Sequence, residues 1–162
     1  MSVADPQVTE GIDRLCRAIS TDLPAPPVLV GIHTGGVWLA QALRDRLWPQ
    51  APLSRLNISF HRDDFARIGL HPQVGASDMK EDVEGRTLLL VDDVLHTGRT
   101  VRAAMNELFD FGRPAAIRLA VLVDRGGREL PVAADYVGME RDVPGEQQIK
   151  LEGPDPLTLV LR

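Results

Sequence analysis

The run Leu88-Leu89-Leu90-Val91-Asp92-Asp93-Val94-Leu95-His96-Thr97-Gly98-Arg99-Thr100 admits few folds. Its four leading apolar residues predict a strand buried on both faces, as in a parallel sheet covered by helices. Two adjacent acids, Asp92 and Asp93, close that strand and so stand at its C-terminal end. A six-residue loop, Leu95 to Thr100, follows, and Val101, Ala104, Met105 and Leu108 then recur at helical spacing. In open α/β sheets, ligands bind just beyond the C-terminal ends of the strands. Loop N–H groups backed by a helix N-terminus form an anion site there, most often for phosphate. Gly98 permits close backbone approach, while Thr97 and Thr100 add hydroxyl donors or cap the helix. A phosphate cradle beside two carboxylates suited to vicinal hydroxyls describes a ribose 5-phosphate.

A second unit of the same kind lies upstream. Val28-Leu29-Val30-Gly31-Ile32 predicts a buried strand, His33-Thr34-Gly35-Gly36 a loop, and Val37, Ala40, Leu43 and Leu47 a helix. No Walker-type Gly-Lys-Ser/Thr occurs. Two anion loops on two parallel strands suit a ligand with phosphates at both ends. A third polar loop, Asp124-Arg125-Gly126-Gly127-Arg128, ends the strand Ile117–Val123. Around these units, residues 1–7 read as a loose tail and Val8 to Thr21 as a first helix, stopped by Pro24, Pro26 and Pro27. Leu53 to Phe60 predicts a half-buried strand, and 66–85 a long loop of the lid or binding kind. Gly112 and Pro114 stop the helix after the central motif near Phe111. Short strands are expected at Ala134–Gly138, Ile149–Leu151 and Leu157–Leu161, finishing the sheet edge or forming a small hood.

The composition bounds the alternatives. A chain of 162 residues, 44% hydrophobic and 25% charged, fits one soluble α/β domain spanning 1–162. No apolar run approaches the ~20 residues of a membrane span, and no secretory signal opens the chain, so a cytoplasmic setting without membrane contact is expected. The lone Cys16 excludes an intrachain disulfide and falls on a helical face with Ile12, Leu15 and Ile19, as a core residue would. A net charge of −5 gives nonspecific nucleic-acid binding no help, although 16 of the 18 basic residues are arginine. A response-regulator receiver domain also has a strand ending in paired acids. Only 70 residues follow Asp92, too few for four further βα units.

Asp92 to Thr100 resembles the phosphoribosyl-diphosphate (PRPP) motif of the type I phosphoribosyltransferases. Val101-Arg102-Ala103-Ala104 and Leu122-Val123-Asp124-Arg125-Gly126-Gly127-Arg128-Glu129-Leu130-Pro131 resemble the pyrimidine-operon regulator branch, many of whose members are uracil phosphoribosyltransferases. The likeness runs from about Val28 to Tyr136. It implies the family's single-domain fold, a mainly parallel sheet with flanking helices and a hood. It also implies glycosyl (pentosyl) transfer from PRPP to uracil with Mg²⁺, giving UMP and diphosphate. Carried over, Asp92 and Asp93 are the catalytic acids at the ribose, and Val94, Leu95, His96, Thr97, Gly98, Arg99 and Thr100 bind the 5-phosphate. Thr34, Gly35, Gly36 and Arg62 bind diphosphate, in a loop where the family often has a cis peptide. Asp63 and Asp64 steady Arg62. Val123, Asp124, Arg125 and Gly126 line the base pocket, with Arg125 packing on the ring and Asp124 in the outer shell of the magnesium. The family commonly has arginine where Gly35 stands and lysine where His33 stands, so Gly35→Arg is expected to lower the KM for PRPP. The resemblance also implies a homodimer or homotetramer, with Trp38, Trp48 or Phe111 available to an interface. The alternative reading is a UMP- or UTP-sensing regulator of pyrimidine transcription that binds an mRNA leader and catalyses little.

Overall fold

The computed structural model describes residues 4–58 and 77–162. Asp5 opens the first helix: its carboxylate accepts the Gln7 N–H at 3.0 Å, and Pro6 supplies a helix-compatible φ without a wasted donor. The helix α1 (Pro6–Asp22) therefore begins inside the segment predicted as tail. It is followed by β1 (Val28–Ile32), α2 (Gly35–Leu47), β2 (Leu53–Leu56), β3 (Thr87–Leu95), α3 (Arg99–Asp110), β4 (Ala116–Asp124), β5 (Tyr136–Glu140), β6 (Ile149–Glu152) and β7 (Thr158–Leu161). Strand β2 ends at Leu56, short of the predicted Phe60; Ser59 and Phe60 lie outside the described residues.

The first five strands form one parallel sheet in the order β2-β1-β3-β4-β5. Alternate residues of the central strands feed two apolar cores. Leu29, Leu89, Ala120 and Leu122 pack with α1 and α2, while Val28, Val30, Leu88, Leu90, Leu119 and Val121 pack with α3. Helices on both faces explain why Leu88–Val91 has no polar alternation. Burial of each such side chain contributes roughly 1.5–3 kcal/mol. The chain runs outward from β1 to β2, then crosses back to β3 on the other side of β1. The switch point therefore lies between β1 and β3, where an open α/β sheet opens a crevice at its C-terminal edge. Strands β6 and β7 form a separate antiparallel pair, the expected hood.

Strand β3 continues through both acids to Leu95, and α3 begins at Arg99. The predicted six-residue loop is thus only His96–Gly98. Pairing with β4 extends to Val94↔Val123 and Leu95↔Asp124, and these ladder bonds outweigh the acids' poor strand propensity. Where α2 meets β3, a Cβ on Gly36 would fall on the Val91 carbonyl oxygen and lie 3.0 Å from Asp92 Cα. Both neighbours are backbone and cannot yield locally. Gly36→Ala is expected to cost about 1–3 kcal/mol in urea unfolding, as overpacking does. An unchanged midpoint would contradict this close approach.

Candidate active site

Because β1, β3 and β4 are adjacent and parallel, the segments leaving their C-terminal ends lie side by side. These segments are His33–Thr34, His96–Gly98 and the stretch from Arg125 onward, three loops separated by 62 and 27 positions in sequence. Asp92 is buried at 6% exposure and accepts the Asp93 N–H at 2.9 Å. Asp93 is half-buried, and its Oδ1 accepts the Val94 N–H at 2.9 Å. Each carboxylate is thereby pinned to the backbone of the strand that carries it.

The first loop has a cis peptide between His33 and Thr34, at the place the resemblance implied. Thr34 caps α2 without a side-chain bond. The first N–H groups of a helix have no intrahelical partner, so those of Gly35 and Gly36 remain for an anion. Gly35 lies directly against Asp93: a Cβ there would fall on Asp93 Oδ2 and 2.7 Å from Cγ. Asp93 Oδ2 also faces the Leu151 N–H of the hood at 3.4 Å. The bareness of residue 35 thus makes room for the acid.

In the second loop, Gly98 has φ of 93°, a left-handed conformation that suits glycine. Thr97 Oγ1 accepts the Arg99 N–H at 3.1 Å, and Thr100 is half-buried in the first turn of α3. His96 is exposed and its ring edge bears on Gly127. Burial, followed by the nearby charge of Arg125, holds the His96 imidazole below its ordinary value of 6.5.

The third loop is braced by its own side chains. Asp124 Oδ2 accepts from Arg128 Nη2 at 2.7 Å, and Oδ1 accepts the Gly126 N–H at 3.0 Å. Burial pushes the Asp124 carboxyl up, but these bonds outweigh it and hold the group below the usual carboxylate range. Arg125 donates to the carbonyls of Gln147 at 3.1 Å and Val143 at 3.5 Å, fastening the segment that leads into the hood. Val123 is buried in the core beneath them. Arg128 was quoted in this loop from sequence but given no role there. Nothing periodic marks it; its only local signal is a position four residues after Asp124 in a glycine-containing loop. Arg62, Asp63 and Asp64 lie outside the described residues, as does most of the 66–85 loop. Cys16 is half-buried beside Arg46, and burial pushes its thiol up, away from reactivity.

The phosphoribosyl transferase domain model matches residues 3–155 of the chain. The chain belongs to the phosphoribosyltransferase family. Among curated relatives, the Bifunctional protein PyrR of Nitrosococcus oceani is 51% identical over 97% of this chain and 94% of that protein. The Bifunctional protein PyrR of Pseudomonas aeruginosa PAO1 is 53% identical over 82% of this chain and 78% of its own. Among solved structures, a hypoxanthine-guanine phosphoribosyltransferase from Bacillus anthracis superposes with a TM-score of 0.67 at 19% identity, covering 86% of this chain and 85% of that one. A purine phosphoribosyltransferase from Pyrococcus horikoshii gives 0.62 at 22% identity, covering 86% and 85%. At that identity the structures establish the fold. The family makes this protein a pentosyltransferase, and the relatives place it in the pyrimidine-operon regulator branch of that family.

Two outcomes follow from this geometry. Gly35→Arg, expected from the sequence alone to tighten PRPP, should instead raise its KM several-fold, because any side chain at 35 displaces the Asp93 carboxylate; a lowered KM would refute the contact. In an NMR pH titration the His96 ring should take up its proton below 6.5, and Arg125→Gln should raise that midpoint. A depressed value means that the neutral ring's contribution to stability is present above the unfolded value and is lost as pH falls. A His96 midpoint at or above 6.5 would contradict the charge environment.

Proposed function

We propose that the chain transfers the phosphoribosyl group of PRPP to uracil, forming UMP and releasing diphosphate. The observation that carries this reading is the convergence of Asp92, Asp93 and the His96–Gly98 turn beside the uncapped N-terminus of α2. Uracil N1 attacks the anomeric carbon as its bond to diphosphate breaks. The transition state has oxocarbenium character and needs positioning and charge management, with no protein nucleophile. Asp92 and Asp93 accept hydrogen bonds from the ribose hydroxyls and place negative charge beside the cationic ring. The N–H groups of Thr97, Gly98 and Thr100 hold the 5-phosphate, that of Arg99 being bonded to Thr97 Oγ1; those of Gly35 and Gly36 hold the diphosphate, and Asp124 to Gly126, beyond the buried Val123, face the base.

Mg²⁺ suits this site in a particular way. The described residues include no cluster of three or more groups able to cage a metal, and both Asp124 oxygens already have protein donors. Asp92 and Asp93, which stand together near the end of β3, would hold the ion alongside substrate oxygens and water, a donor set that magnesium accepts. Magnesium held there would supply positive charge beside the leaving diphosphate.

The relatives' name, bifunctional, favours a second activity; the one we assign, following the family resemblance, is binding of a pyrimidine-gene mRNA leader under UMP control. A homodimer or homotetramer is the assembly we assign, with Phe109 and Phe111 the exposed aromatic pair available to it. No helix of the described residues is long and apolar enough to cross a membrane.

Purified protein supplied with PRPP, Mg²⁺ and each nucleobase should form UMP and should not form purine nucleotides. Each charged hydrogen bond lost from the ribose costs about 1.5–3 kcal/mol. The double variant Asp92→Asn, Asp93→Asn should therefore lose about a hundredfold or more in kcat/KM. UMP formation that survives both changes would remove these acids from the reaction. Gel-shift titration of a leader RNA tests the second activity, which should tighten with UMP and weaken with salt; binding indifferent to UMP would refute it.

A further inference from the structure

We infer that Arg128 is the positioning residue that aims the 5-phosphate-binding amides, acting from the side of the loop away from the phosphate. The inference rests on the phosphate site assigned above and deepens it.

The guanidinium of Arg128 is spread over three segments. Nε donates to the Val132 carbonyl at 2.8 Å, Nη1 to the His96 carbonyl at 2.9 Å, and Nη2 to Asp124 Oδ2 at 2.7 Å. Only a planar fork of donors reaches three divergent acceptors at once. Its neighbours extend the clamp, since the Glu129 and Leu130 N–H groups both donate to the Thr97 carbonyl, at 2.9 and 3.1 Å.

Peptide geometry turns these contacts into a device. The His96–Thr97 and Thr97–Gly98 bonds are trans, and in a planar trans peptide the C=O and the following N–H point in opposite directions. Holding the His96 carbonyl against Arg128 therefore turns the Thr97 N–H the other way. Holding the Thr97 carbonyl against residues 129 and 130 does the same for the Gly98 N–H. The side chains of Val132 and Leu130 back the turn, with Val132 Cβ 3.3 Å from where a Cβ on Gly98 would lie. Two amide donors thus face away from the clamp with their planes fixed before any ligand arrives. Asp124, held by Gly126, anchors the fork at the end of β4.

The test measures binding of ribose 5-phosphate and of diphosphate separately, by calorimetry, for the wild type, Arg128→Ala, Arg128→Lys and Asp124→Asn. Arg128→Ala should weaken ribose 5-phosphate by about tenfold or more, as expected for two misdirected donors, and leave diphosphate within about twofold. Lysine supplies one point of charge and cannot span the three acceptors, so Arg128→Lys should restore part of the loss. Asp124→Asn should show the same selectivity at smaller amplitude, and it serves as the readout if Arg128→Ala does not fold. In turnover, the KM for PRPP should rise with little change in kcat. Unchanged ribose 5-phosphate affinity, or equal weakening of both ligands, overturns the role. A wild type that binds ribose 5-phosphate but makes no UMP sinks the uracil assignment alone. One that binds neither ligand sinks both readings.

Discussion

Burial of β3 on both faces is the constraint on which the rest of the structure depends. Leu88, Leu89, Leu90 and Val91 are wholly excluded from solvent, paired to β1 on one side and β4 on the other. A strand so enclosed has no freedom of register, since a one-residue slip would turn each core over to the opposite helix layer. That rigidity fixes where Asp92 and Asp93 emerge. It also fixes which loops stand beside them, because the parallel neighbours must bring their own C-terminal ends to the same edge.

The site is built by fixing backbone more than by supplying side chains. The two acids bond the N–H of the residue after each, Gly36 brings α2 hard against β3, and the carbonyls of His96 and Thr97 are held from behind. Groups so fixed need no reorganisation when charge develops, the carboxylates suiting a cationic centre and the amide donors an anionic one. The hood joins this arrangement at two points, through Leu151 facing Asp93 and through Arg125 holding the 143–147 segment.

How much of this was legible beforehand depends on the range of the contacts involved. The run from Leu88 to Val91, the glycine-bearing loop after Ile32 and the stop at Gly112 are local signals, and each marks an element found in the structure. The end of β3 was misplaced because ladder bonds to β4 carry the strand through two acids that local propensity would exclude. The tail was misread because the Asp5 cap and Pro6 start a helix before its apolar face begins. Gly35 reads differently in the two views. Set against an expected arginine, it reads as a lost charge, whereas beside Asp93 it is space for a carboxylate. Arg128, quoted in the third loop, had no role assigned from sequence for a related reason. Its acceptors at positions 96, 124 and 132 become neighbours only once β3 and β4 are paired.

The central claim is that the two aspartates and the short turn after them close on one phosphorylated sugar. A crystal structure with bound UMP tests it most directly. The account predicts the phosphate within hydrogen-bonding distance of the N–H groups of Thr97, Gly98 and Thr100, with both ribose hydroxyls on Asp92 and Asp93. Nucleotide density seated elsewhere, or a phosphate held only by side chains while those amides face away, would contradict it.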